Sequence, residues 1–210
     1  MPKRLTEEQV AQYEQDGFLS PVRVISEDEA VALRQQLEAF EAAQGKPIHG
    51  TQRSKCSLLF PWAYDLFTSP AVLDVVEDLM GPDLLQYQCG IWIKEPESGS
   101  FVSWHQDCTY YGMDPLELVS AWVALTSATE ETGCMQVAPG SHKFGEYPYE
   151  FTELSDDNLL SSGMRAQYEI DESKLVSMEL QPGEMSLHHV SVVHSSRPNH
   201  GTDRRIGVAG

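Results

Sequence analysis

The sequence predicts a mainly β fold, a β-sandwich or jelly roll, with a helical layer ahead of it. Two observations carry this. Capping-box and stripe patterns typical of helices fill about residues 1–82, and many short strand candidates separated by polar turns fill about 83–210. Length is the third: 210 residues suit a single domain with a sizeable core.

Thr6-Glu7-Glu8-Gln9 is a capping box and opens a helix to about residue 14 or 15, stopped by Asp16-Gly17. Phe18-Leu19 and residues 22–25 read as extended chain. Ser26-Glu27-Asp28-Glu29 is a second capping box. Behind it Ala30, Leu33, Leu37 and Phe40 form an apolar stripe for packing on something larger. Residues 45–57 read as loop. Arg53 and Lys55 stand there together in a chain short of cations, as a solvated loop or as an anion contact. Short helices follow near 58–62 and 72–80. Pro70 takes an early helical position, and Gly81-Pro82 closes the segment.

Strand candidates then run over 84–93, 101–107, 119–125, 134–137, 175–180, 185–188, 190–194 and 205–208. Residues 143–165 break that rhythm, and so long a connection is a candidate lid. No repeat and no low-complexity tract is present.

Composition narrows the function classes. Hydrophobic residues at 41% argue against disorder. Fourteen basic against 32 acidic residues give a net charge of −18, which disfavours nucleic acid and anionic membrane surfaces as partners. No leader-like apolar stretch and no apolar run near twenty residues occurs, which is the pattern of a soluble, cytoplasmic protein. Cys56, Cys89, Cys108 and Cys134 form no C-x-x-C pair and read as reduced thiols. Cys108 adjoins the chemically suggestive strand and reads as a small strand residue. Oligomeric state is not legible.

That strand carries His105-Gln106-Asp107. With a side-chain period of two, His105 and Asp107 project from one strand face. An imidazole and a carboxylate so placed are two ligands of a 2-His-1-carboxylate site for non-haem Fe(II). Alone the tripeptide is weak evidence. His188, His189 and His194 can each supply the third ligand. Of the adjacent pair at most one points inward, since strand neighbours face opposite ways. Eleven residues after His194 stands Arg205, at the start of the last strand candidate. A buried arginine there is a bidentate reader of carboxylates.

From its opening Leu5-Thr6-Glu7-Glu8-Gln9 onward, the chain resembles the phytanoyl-CoA dioxygenase family of Fe(II)- and 2-oxoglutarate-dependent oxygenases. The matching motifs are His105-Gln106-Asp107, the run from Gly133 to His142, and His194-Ser195-Ser196 with Asn199 and Arg205. The resemblance implies a double-stranded β-helix, a cupin-like jelly roll, with N-terminal helices. It implies Fe(II) on His105, Asp107 and His194, with 2-oxoglutarate and O2 as cosubstrates. Arg205 and Ser196 would hold the distal carboxylate of 2-oxoglutarate, and Trp122 would stand beside it. A family lysine also contacts the cosubstrate, and Lys55 and Lys94 both compete for that place. Gln88 matches a position near the metal, and His189 one that supports the ligands from outside. Tyr110 and Tyr111 are placed to line a pocket.

Family chemistry implies release of succinate and CO2 with hydroxylation of a small-molecule substrate. The carboxylate at Asp107 favours hydroxylation over halogenation. A cosubstrate-independent or catalytically silent cupin-like metal-binding module is the alternative. Family members usually continue past the strand that opens at Arg205, so the resemblance implies a shortened member or a truncated chain.

Overall fold

The computed structural model describes residues 2–112, 114, 116–152, 155–160 and 162–210. Helix α1 (Glu7–Asp16) starts at the Thr6–Gln9 box and α2 (Glu27–Gln44) at the Ser26–Glu29 box, each with both reciprocal bonds made. Gly17 and Gly45 end them in the left-handed region, where a missing Cβ removes the steric penalty. The stretch 45–57 is more ordered than a loop. It holds the short turns α3 (Thr51–Ser54) and α4 (Cys56–Leu59), followed by α5 (Pro61–Phe67) and α6 (Pro70–Met80). Pro61 and Pro70 each sit in a first turn, where the missing N–H costs nothing.

Two antiparallel sheets face each other, which makes the fold a jelly roll. The larger is ordered β1 (Phe18–Arg23), β9 (Glu184–His189), β4 (Val119–Ala124), β11 (Arg205–Ala209), β2 (Gly90–Lys94). The smaller is ordered β3 (Val102–His105), β10 (His194–Ser196), β5 (Met135–Val137), β8 (Val176–Met178). A short helix, α7 (Cys108–Tyr111), follows β3.

Strand alternation sorts the larger sheet into two faces. Ala121, Val123, Met185, Leu187, Ile206, Val208 and Ile91 join Leu37, Trp62, Phe67, Val72 and Val75 of the helices in one core. Each fully buried Val, Leu or Ile there contributes roughly 1.5–3 kcal/mol. The other face carries Ser120, Trp122, Ser186, His188, Lys94 and Arg205, all buried and none of them aliphatic. Helices therefore seal one side of the sheet, and the polar side faces the barrel interior. An ion-pair network fixes α2 to the chain ahead of β11: Arg34 binds Asp203 through both carboxylate oxygens, and Arg204 bridges Glu41 and Glu95.

Several elements differ from the sequence expectation. The layer over 1–82 is not wholly helical, because β1 crosses over to edge the larger sheet beside β9. Strand β2 begins only at Gly90, and residues 84–88 are outside it. Residues 190–193 form a buried turn, closed by a bond from Val192 N to His189 O, so His194 opens a strand instead of ending one. Their three valines carry a strand-like pattern because burial and β-branching are the same in both settings. The 143–165 connection contains a two-stranded ribbon, β6 (Tyr149–Phe151) with β7 (Met164–Ala166). Residues 153, 154 and 161 of that connection lie outside the described residues. Cys56 and Cys89, far apart in sequence, bring their thiols within 2.9 Å where α4 meets the start of β2. Among the described residues no helix is long and apolar enough to cross a membrane.

Candidate metal centre and carboxylate pocket

Register builds the site. His105 on β3 is the direct cross-strand partner of His194 on β10. Direct partners in an antiparallel pair share a face, so both imidazoles enter the interior together, with centroids 4.1 Å apart. Asp107 arrives differently from expectation. Strand β3 stops at His105, and Asp107 has helical backbone angles at the head of α7. The turn still returns its carboxylate to the two rings. Oδ1 lies 3.4 Å from His105 Nε2 and 3.8 Å from His194 Nε2. The three ligand atoms of His105, Asp107 and His194 all lie within 4.8 Å of one another.

Each ligand is held from behind. His105 Nδ1 is 2.9 Å from Ser103 O and His194 Nδ1 is 3.0 Å from Val192 O. A carbonyl only accepts, so both Nδ1 atoms carry the proton and both Nε2 lone pairs are free for a metal. Asp107 Oδ2 accepts from Ser120 Oγ at 2.7 Å and from His188 Nε2 at 3.2 Å, which leaves Oδ1 toward the rings. Burial alone would raise the Asp107 carboxyl, yet the surrounding histidines, among them His188 through its hydrogen bond, hold it well below the usual carboxylate range. Burial, with His105 and His188 adjacent, keeps His194 far below the ordinary histidine range. A carboxylate and a neutral imidazole are the forms that bind metal. The donor set and its supports fit a divalent, first-row transition metal with open coordination positions.

Gln106, between the two ligands, points away from them and is buried. Its amide donates to Gly145 O and Ser191 O, and its carbonyl accepts from Tyr147 N. The base of the 143–165 connection is thereby pinned to the strand end that carries the ligands. Tyr110 packs edge-on against His105, and Tyr111 meets Tyr87. Cys108 is buried beside them, and burial raises its thiol, which leaves it a small packed residue and not a nucleophile.

The second half of the site is cationic. Arg205 pairs with Lys94 across β11 and β2. Its guanidinium sits 5.2 Å from the Trp122 ring centroid. Arg205 is 3% exposed, its Nε has no hydrogen-bond partner, and it makes no ion pair among the described residues. Burial lowers it to about 10. A buried guanidinium without an acid is costly, and it is the arrangement expected where a carboxylate ligand completes the pairing. Lys94 is fully buried and binds Ser196 Oγ at 2.6 Å, Gly133 O at 3.3 Å and Arg197 O. Burial, then the neighbouring Arg205, pushes Lys94 down to about 6. Lys55 and Gln88, by contrast, are exposed. Of the two competing lysines, only Lys94 stands inside the barrel beside Ser196 and Arg205.

Ser120 is a site residue that motif reading passed over, and His188, weighed there as a possible third ligand, instead holds Asp107. His189, expected to support the ligands from outside, instead accepts from Ser191 N and packs against His142. The pattern did hold a signal. Met185 and Leu187 are the apolar face of β9, so Ser186 and His188 must share the other.

The chain is similar to proteins of known family. The family model for phytanoyl-CoA dioxygenase (PhyH) matches residues 13–207. A probable alpha-ketoglutarate-dependent hypophosphite dioxygenase of Stutzerimonas stutzeri is 28% identical over 176 residues, covering 83% of this chain and 61% of that protein. The peroxisomal phytanoyl-CoA dioxygenase of Homo sapiens is 26% identical over 219 residues, covering 93% of this chain and 64% of that protein. The chain thus spans less than two thirds of the length of either relative. A solved non-heme monooxygenase, ThoJ in its apo form, superposes with TM-score 0.80 at 31% identity, covering 96% of this chain and 75% of that one. The non-heme alpha ketoglutarate dependent carbocyclase SnoK from nogalamycin biosynthesis superposes with TM-score 0.78 at 25% identity, covering 99% and 84%. The chain belongs to the phytanoyl-CoA dioxygenase family.

Proposed function

We propose that this chain is a non-haem Fe(II)- and 2-oxoglutarate-dependent dioxygenase that hydroxylates a small organic substrate and releases succinate and CO2. The observation that carries the reading is the pairing of two unfinished sites in one interior. One is a His105, Asp107, His194 cluster whose Nδ1 atoms are tied to carbonyls; the other is a buried Arg205 with no acidic partner among the described residues. His105, Asp107 and His194 would hold the iron. Arg205 would pair with the distal carboxylate of 2-oxoglutarate, with Ser196 and Lys94 beside it and Trp122 as the wall. When bound, iron and 2-oxoglutarate together supply the oxidising chemistry that activates O2.

The protein's own part is positioning. Ser120 and His188 fix which Asp107 oxygen faces the metal. Trp122 keeps the Arg205 guanidinium in place, and the connection pinned by Gln106 would exclude water. Lys55 and Gln88 are exposed, which supports giving the lysine role to Lys94. The Asp107 carboxylate occupies the position a halide would need, which supports hydroxylation as the outcome.

The test is succinate formation in a panel of candidate substrates. Asp107→Ala should abolish substrate-dependent succinate release. Arg205→Ala should raise the 2-oxoglutarate requirement by ~10- to 100-fold, the worth of a charge-assisted bidentate contact. Wild-type-like turnover in either variant removes the assignment. Iron binding without any response to 2-oxoglutarate would favour the cosubstrate-independent module. Mass analysis should find one oxygen atom added to the product, and a chlorinated or merely desaturated product would contradict hydroxylation.

A further inference from the structure

The partly or fully buried arginines of this chain fall into two groups. Arg34 and Arg204 are each clasped by carboxylates, Asp203 for the one and Glu41 with Glu95 for the other. Arg205 and Arg53 have no acidic partner among the described residues. In a chain with 32 acidic residues, leaving a sheltered guanidinium unpaired runs against both solvation and abundance. Arg205 is accounted for by the cosubstrate. Arg53 is not.

Arg53 is held in a defined place. It lies on α3, which packs on β2, and its Nε donates to Ile91 O at 3.2 Å. The guanidinium carbon sits 5.8 Å from the Trp92 ring centroid. Trp92 alternates with Ile91 and Ile93, which face the helices, so it shares the interior face with Lys94. Its ring packs against the cluster that contains Trp122, on which Arg205 rests. Two guanidinium groups thus bracket one block of indoles. Arg205 pairs with Lys94 at one end of β2, and Arg53 lies toward the Gly90 end, roughly 10 Å along the strand. Burial lowers the Arg53 pKa, with no carboxylate opposing it.

We propose that Arg53 recognises an anionic group on the primary substrate, a carboxylate or a phosphorus oxyanion, at the opposite end of the barrel interior from Arg205. The inference rests on the oxygenase reading above and adds a substrate class to it. The fixed Nε contact leaves the terminal nitrogens as donors for two oxygens of such a group. The indole beneath keeps water from one side of the cation, which strengthens the contact.

Binding to protein loaded with Ni(II) and 2-oxoglutarate tests this without turnover. Propionate and methylphosphonate serve as anionic probes and propionamide as the neutral control, followed by ligand-observed NMR. Wild-type protein should bind at least one anion more tightly than the amide. Arg53→Gln should weaken that binding by ~10-fold or more, with Arg53→Lys between the two. Metal and 2-oxoglutarate affinities should stay within ~2-fold, and an unchanged melting temperature would show that both variants fold. Anion binding unaffected by Arg53→Gln overturns the proposal. A matching loss of 2-oxoglutarate affinity also overturns it, by moving Arg53 to the cosubstrate. Wild-type protein that takes up neither nickel nor 2-oxoglutarate overturns the oxygenase reading itself, a failure seen before any Arg53 variant is compared.

Discussion

Asp107 is held from two sides, and the residue with most influence on it after the ligands is His188. Its Nε2 reaches Oδ2 at 3.2 Å, on the carboxylate edge away from His105 and His194. Removing such a support typically costs about 10- to 100-fold in metal affinity. His188→Leu should therefore weaken Fe(II) or Ni(II) binding by ~10- to 100-fold, while His188→Gln, which keeps a donor on that side, should recover much of it. A direct titration of metal-free protein reads this, and an unchanged affinity in His188→Leu removes the role. At this scale legibility followed the chemistry of the motif. His105, Asp107, His194 and Arg205 stand out because few other roles call for those residue types in that order. His188 was weighed only as a possible ligand, and its supporting role was given to His189, because the two offer identical chemistry and only strand parity separates them. The choice between Lys55 and Lys94 was closed to the sequence for a different reason. It depends on which lysine is buried, and burial of Lys94 is decided by β11 and by the Gly133 and Arg197 carbonyls, distant in the chain.

At the scale of elements, the interior depends on how closely β11 and β4 approach. Gly207 lies opposite Trp92 on β2 and under the Trp122 ring, where an added Cβ would fall 1.8 Å from the indole. The ring sits against bare backbone and presents its face to Arg205. Gly207→Ala would push the ring off this seat. The expected cost is ~1–3 kcal/mol of stability from overpacking, with a raised 2-oxoglutarate requirement as Arg205 loses its support. Denaturant unfolding together with a 2-oxoglutarate titration checks both, and wild-type values in the two measurements would contradict the account of this contact. The capping boxes, the first two helices and most strand positions were readable, since each is a local pattern. The departures were tertiary. Strand β1 belongs to the larger sheet because β9 pairs with it, and the 190–193 turn imitates a strand because its valines are buried. Asp107 left the predicted strand face because β3 ends two residues early, at His105, yet the turn brings its carboxylate to the same place.

For the whole molecule, the helices seal one face of the larger sheet with a continuous apolar core, which frees the opposite face to be polar. On that face Ser120, His188 and Lys94 are held by hydrogen bonds, while Arg205 has no acidic partner among the described residues. If metal and 2-oxoglutarate bind as proposed, they complete this pairing, and their binding should stabilise the fold. At ~100 times its dissociation constant a ligand adds about 2.7 kcal/mol. The most direct measurement is anaerobic calorimetric titration of 2-oxoglutarate into purified protein with and without Fe(II), alongside thermal unfolding. The geometry predicts one 2-oxoglutarate per chain, dependent on the metal, a higher melting temperature for the ternary complex, and loss of metal-dependent binding in Asp107→Ala. Protein that binds no 2-oxoglutarate with Fe(II) present, or binds it equally well without the metal, would contradict the assignment.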